Sequence, residues 1–369
     1  MSKKIIDEII TFGKTAYNVM IDQIHIQNFR GFSSLLVSDL RRVNLIVGPN
    51  SSGKTAFLES LFLSAGALAV PSVIFQLRAL RHLGNSIEIA ADAASYQSLW
   101  DDLFHWFDRE KTISIDVVGS ESRSLRAAYE EAASQLLPLG KQLINNPVLP
   151  QIVFEWRRGD SAPIVVKPTI TGTGLTIQGA SSEHFPVVLF SPHSPEVPEE
   201  HAKRFSDLSK IGESGPIVKG LRSEFPFLEG LSLEHLSGAW AVFAKLTGHE
   251  RKLPVALLSD GINKLMGILL GIASNKRGLV LVDQIEDGFY FERMPSIWRL
   301  IYRFALDNDV QVFATCHSLE FLKAMHEIMR GNEEDFALLH TYRENGACNL
   351  RTTKGKFFEA TLEQGFEVR

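Results

Sequence analysis

Two short stretches place side chains that could do chemistry together. "GPNSSGKT", residues 48–55, sets Gly48, Gly53, Lys54 and Thr55 at the spacing G-x-x-x-x-G-K-[ST]. Glycines at 48 and 53 let the backbone curl so that successive N–H groups point inward at an anion, with Pro49, Asn50, Ser51 and Ser52 completing the curl. A helix opening at Thr55 adds the positive end of its dipole. Lys54 is a mobile point charge for β and γ phosphates, and the Thr55 hydroxyl is a magnesium ligand. The second stretch, "GLVLVDQIEDGFY" at 278–290, runs from Leu279 to Val282 as an apolar strand and delivers Asp283 as a second magnesium ligand. The next position is where a carboxylate would activate water. It is Gln284, an amide that cannot accept a proton at neutral pH.

These groups need a parallel sheet to hold them. A strand "RVNLIVG" leads into the phosphate loop, and a helix is expected from Thr55 to about Leu68. Later, "GINKLMGILLGIAS" reads as a helix, "GLVLVD" as a strand, 294–307 as a helix and "VQVFATC" as a strand. Strands alternating with helices predict a parallel sheet with its chemistry at the carboxyl ends. Upstream, "IDQIHIQNF" alternates Ile24 and Ile26 with polar residues, which is strand behaviour.

Between these halves the texture is mixed. Helices are expected over 87–107 and 121–143, strands at 111–119 and in "QIVFEW", "PIVVKPTI", "GLTIQG" and "FPVVLF", a loop in "SPHSPEVP", and helical patterns from 199 to 248. Residues 5–20 read as an amphipathic helix, which absorbs the "FGKT" at 12–15. The expected fold class is α/β, a P-loop ATPase head with a mixed parallel sheet. Its parts are an N-terminal extension at 1–20, a first core half at 21–69, an inserted helical and strand lobe at 70–250, and a second core half at 251–369.

Composition narrows the class. An apolar fraction of 45% and a charged fraction of 22% describe an ordinary globular chain. A net charge of −5 argues against a surface that grips DNA throughout. Two cysteines far apart, Cys316 and Cys348, suit a reducing cytoplasm and cannot alone build a zinc site. No targeting signal is read, and the uncharged run "LFLSAGALAV" is too short to span a bilayer, so no membrane role is expected.

"IHIQNFRGF", "GPNSSGKT", "LLSDG", "LVDQIEDGFY" and "FATCHS" come in an order that resembles ABC-class ATPases of the SMC and OLD (overcoming lysogenisation defect) type, including ATPases of bacterial anti-phage systems. The resemblance covers about 21–64 and 253–320, and by it the chain would start near Met20. It implies ATP and magnesium as cofactors and two heads pairing head to tail around ATP. Ser259, Asp260 and Gly261 then stand at the signature motif, where a helix start presents a hydroxyl and unpaired N–H groups to the γ-phosphate held by another subunit. It further implies that His317 is a switch histidine, that Asp287 and Gly288 cross the dimer interface, and that Arg30 approaches the nucleotide.

The same resemblance expects a glutamate at 284. Gln284 can orient a water but not take its proton, and loss of a positioned base costs on the order of 10²–10⁴ in rate. Three explanations stand: an engineered change that holds dimers closed on ATP, a native residue in a slow ATPase, or Glu286 serving as base. About fifty residues follow His317, too few for the nuclease domain that OLD proteins carry, so an effector is expected as a separate protein. The leading expectation is an ATPase that assembles as a homodimer or larger and controls that effector. The alternatives are a non-hydrolysing ATP-locked scaffold and an SMC-like DNA repair ATPase, against which the absence of sustained heptads weighs.

Overall fold

The computed structural model describes residues 21–66, 97, 99–130, 135–139, 142–146, 151–171, 174–178, 185–192, 198–236 and 238–354. The expected helix at 5–20 lies outside them. Two sheets sandwich the helix that follows the phosphate loop. The first is six-stranded, in the order β11 (Val187–Phe190), β15 (Leu279–Val282), β16 (Gln311–Thr315), β3 (Val43–Val47), β17 (Phe336–Glu344), β18 (Ala347–Lys354). All its pairs are parallel except β17 with β18. Every residue of β3, β15 and β16 is buried, which is why these strands read as unbroken apolar runs: a parallel sheet is covered on both faces.

The two faces feed different cores. Val43, Leu45, Val47, Val280, Val282, Val312 and Ala314 pack on the helical side, against α2 (Pro198–Lys210), α3 (Gly215–Glu224), α4 (Asp260–Ser274), α5 (Met294–Asp307) and α6 (Leu319–Met329). Ile46, Leu279, Leu281, Phe313 and Leu339 face the other way, onto α1 (Lys54–Ser64) and the second sheet. α1 is buried nearly all round, and its Ser60 and Ser64 hydroxyls turn back to donate to Phe57 O and Leu61 O, each at 2.7 Å. Its Phe57 ring meets Phe313 at 6.4 Å between centroids.

The second sheet is antiparallel, in the order β10 (Gly174–Gln178), β9 (Ile164–Thr171), β8 (Ile152–Arg158), β5 (Arg123–Tyr129), β4 (Ile113–Gly119), β1 (Ile21–Phe29), β2 (Phe32–Val37). The expected helix over 121–143 is therefore wrong. Residues 123–129 form a strand in which Arg123, Leu125 and Ala127 are buried at period two, paired on one side with β4 and on the other with β8. Residues 135–139 and 142–146 form a further antiparallel pair. Ala and Leu favour helix weakly, and two flanking strands outweigh that preference.

The helical reading of 199–248 holds only as far as Glu224. Leu228–Leu236 and Ala239–Leu246 then form an antiparallel hairpin through Gly238, whose φ is 95°. Of the helix expected at 87–107, residues 101–107 form two short 3-10 turns and most of the rest lies outside the described residues. Nor does the 70–250 segment stand apart. Its strands between 113 and 178 widen the sheet begun by β1, and Val187–Phe190 is an edge of the parallel sheet.

One buried side chain in α2 carries a pH signature. His201 is 4% exposed, and burial, then Arg204, lowers its pKa from 6.5 to about 4. Below pH 6.5 the unfolded chain binds the proton that the folded chain refuses, so stability falls as pH drops from 6.5 towards 4. The loss is on the order of 3 kcal/mol. Denaturant melts of wild type and His201→Leu at pH 7 and pH 4.5 check this: the difference between the two proteins should shift in favour of the leucine variant at the lower pH.

Candidate functional site

β3 ends where the phosphate loop begins, and its geometry admits only glycine at two points. Gly48 has φ 137°, and a Cβ there would collide with the Thr341 carbonyl. Gly53 has φ 100°, and its Cβ would lie 2.9 Å from Phe32 Cζ. Pro49, Asn50, Ser51 and Thr55 are exposed along the loop, while Ser52 is buried. The Ser52 hydroxyl lies 2.7 Å from Pro49 O and 2.5 Å from the Thr341 hydroxyl, which donates to Val47 O at 3.0 Å. Thr341 thus braces the loop from β17, a role that no motif spacing announces.

Lys54 is 6% exposed and donates to Gly48 O at 2.8 Å and Pro49 O at 2.7 Å, spanning its own loop. Burial lowers its pKa, and Asp283 and Glu286 oppose that shift. A buried ammonium facing two carbonyls and two carboxylates is a site that a polyanion would relieve.

Because β16 lies between β15 and β3, Thr315 at its end stands between Asp283 and the phosphate loop. Thr315 Oγ1 donates to Asp283 Oδ1 at 2.5 Å, and Thr55 Oγ1 donates to Asp283 Oδ2 at 2.9 Å. A hydroxyl and a carboxylate side by side are the oxygen donors that a hard divalent ion takes, with phosphate and water completing its shell. The described residues hold no group of three or more His, Cys, Asp or Glu placed to bind a metal. Magnesium shared with phosphates needs none.

Gln284 follows with a left-handed φ of 53°. Its N–H donates to Thr315 Oγ1 at 2.7 Å, and its carbonyl accepts from Lys264 Nζ at 2.6 Å. The backbone is thus clamped on both sides, which fixes where a side chain at 284 emerges. Lys264 also donates to Asp287 O at 3.1 Å, and burial lowers its pKa. Sequence reasoning missed Lys264; the one signal is a single cation in an otherwise apolar stretch of α4.

At the start of that helix, exposed Ser259 is the N-cap, its Oγ accepting from Ile262 N at 3.4 Å. Asp260 beside it is exposed, and Gly261 is buried against the 287–289 turn, where a Cβ would lie 2.6 Å from Gly288 O. His317, exposed beyond β16, donates its backbone N–H to Glu286 Oε1 at 2.5 Å. Burial first, then the Glu286 charge, pushes the neighbouring Cys316 thiol well above its usual range. Glu286 thereby holds the His317 segment against the turn that follows Asp283.

The structure brings Lys54, Thr55, Asp283, Gln284, Glu286 and His317 together, and ties Ser259 to them through Gly261 and Lys264. Arg30 is different. Its Nε pairs with Glu59 of α1 at 2.7 Å and its Nη1 with Asp102 at 3.2 Å, so it also has an internal role. A guanidinium in two ion pairs, with a side chain only 12% exposed, is a brace between the β1–β2 turn and the phosphate-loop helix.

Comparison with known proteins finds matches on both halves of the chain. The "AAA ATPase domain" family matches residues 20–143, and the family described as "AAA domain, putative AbiEii toxin, Type IV TA system" matches residues 183–323. An ATP/GTP phosphatase of Helicobacter pylori is 21% identical over 347 residues, 86% of this chain and 90% of that protein. The DNA replication and repair protein RecF of Prosthecochloris aestuarii is 54% identical over 41 residues, 11% of each chain. Among solved structures, an SMC head bound to the C-terminal winged-helix domain of ScpA has a TM-score of 0.46 at 12% identity, covering 90% of this chain and 98% of its own. The SMC head domain of Thermotoga maritima has a TM-score of 0.40 at 12% identity, with the same coverage. The first match carries the phosphate loop and the second the Asp283 strand, so this chain is an ATP-binding ATPase, with each motif inside a match to an AAA-type family.

Proposed function

We propose that the chain binds ATP with magnesium in the 48–55 loop and that a second copy closes over it head to tail. The 2.9 Å hydrogen bond between Thr55 and Asp283 carries this reading, because it sets a hydroxyl and a carboxylate side by side near a buried lysine. Lys54 would release Gly48 O and Pro49 O to bind the β and γ phosphates. Magnesium, when bound to Thr55 and Asp283, would neutralise phosphate charge. Ser259, Asp260 and Gly261 of one copy would meet the γ-phosphate held by the other, using the open N-terminus of α4. His317, held by Glu286, would sense that phosphate. Gln284 would orient a water without taking its proton, so ATP is held longer than it is turned over.

The nucleotide state would then control a separate effector protein in the cytoplasm, in anti-phage defence. The motif order supports this setting, as does the match of residues 183–323 to a family described as a putative AbiEii toxin of a type IV TA system. Sedimentation with and without ATP and magnesium tests the pairing. The expected result is a doubling or more of mass on adding both, lost in Ser259→Arg while that variant still binds ATP. A wild-type chain that stays monomeric with ATP bound overturns the pairing.

A further inference from the structure

The 101–107 segment ends in side chains that the core does not use. Trp106 is 69% exposed and Phe107 is 65% exposed, and both have left-handed backbone, φ 53° and 59°. Bulky aromatic residues take that conformation at a cost in strain, and they persist there only where the surroundings impose it. Here they do. Arg30 N donates to Leu103 O at 2.8 Å, and Phe104 bridges to Phe29 and stacks on Tyr129 at 5.6 Å. His105 Nδ1 lies 2.8 Å from Arg30 O while its ring stands edge-on to the indole at 5.9 Å. The exposed indole is therefore held in place rather than left over.

Two chains of contact link it to the phosphate loop. On one side Gly346 lies under it: a Cβ there would be 3.8 Å from Trp106 Cζ2. Two residues along the same strand pair, Cys348 packs 3.1 Å from where a Gly53 Cβ would be. On the other side Arg30, whose carbonyl meets His105, pairs with Glu59 in the helix that Lys54 opens. The hairpin that floors the phosphate loop and the turn that braces its helix both position this one indole.

We propose that Trp106 is the stacking platform for the purine base of the nucleotide whose phosphates enter the 48–55 loop. This rests on the phosphate-loop reading and supplies what that reading lacks, a place for the base. An indole face open to water gains dispersion and sheds hydration when a flat base covers it, and a rigid platform loses little freedom in the process. Phe107, exposed beside it, widens the apolar rim.

Calorimetric titration of the full chain with magnesium ATP and with magnesium tripolyphosphate, which keeps the phosphates and lacks the base, separates the contributions. Trp106→Ala is expected to weaken ATP binding about tenfold or more and to leave tripolyphosphate binding unchanged, with Trp106→Phe keeping most of the ATP affinity. ATP, but not tripolyphosphate, should quench the part of the indole emission that Trp106→Phe lacks. An alanine variant that binds ATP like wild type overturns the platform. So does one that loses both ligands equally, which marks the turn as structural, or one that alters only self-association, which marks a docking surface. Wild type binding neither ligand would instead sink the phosphate-loop reading itself, and the platform with it.

Discussion

Replacing Gln284 by glutamate is expected to raise ATP turnover by about 10²–10⁴-fold with little change in ATP affinity. The argument is positional. Thr315 and Lys264 clamp the peptide groups on either side of residue 284, and neither clamp depends on the side chain. Glutamate matches glutamine in shape, so the variant should place a carboxylate where the amide now is, beside the Thr55 and Asp283 pair. Steady-state phosphate release checks it. A glutamate variant that binds ATP and remains inert would make the chain a non-hydrolysing scaffold. If Glu286 already serves as the base, Glu286→Gln in the unchanged chain should abolish whatever turnover it has.

Lys54→Met is expected to weaken magnesium ATP binding by about 10²–10³-fold, since two charge-assisted hydrogen bonds to phosphate are lost. Folding should respond in the opposite sense. Burial lowers the Lys54 pKa below 10.5, so the folded chain disfavours the charged form that prevails at neutral pH. Between that lowered value and 10.5 the unfolded chain binds more protons, and stability rises with pH; below both values the penalty is present in full. The methionine variant should therefore be at least as stable as wild type at pH 7 and lack that alkaline rise. A variant that unfolds at pH 7 would mean that the lysine holds the loop together, and that its loss of ATP says nothing about phosphate contact.

The parts of the site set by local chemistry were legible in the sequence. A glycine–lysine–threonine loop between an apolar strand and a helix, and an aspartate ending a second apolar strand, need no tertiary information to be read. The expected helix at 294–307 has the bounds observed, because its apolar stripe is broken only at its ends. What could not be read depends on neighbours. Residues 123–129 carry helix-favouring alanines, yet they pair with strands on both sides. That Arg30 pairs with Glu59, 29 positions on, follows from the packing of the β1–β2 turn on α1 and from no local pattern. Thr341 braces Ser52 across 289 residues, and no pattern in one chain spans that distance.

Lys264 and Gly261 fasten the opening of one helix to the turn after Asp283, so the Ser259 face and the Asp283 edge of a single protomer are joined as one piece. In a head-to-tail pair, each bound ATP would then adjust the clasp its own protomer extends over the neighbour's. Loading of the two sites would be interdependent, and a saturation curve should show a Hill coefficient above one that falls towards one when Lys264 is removed.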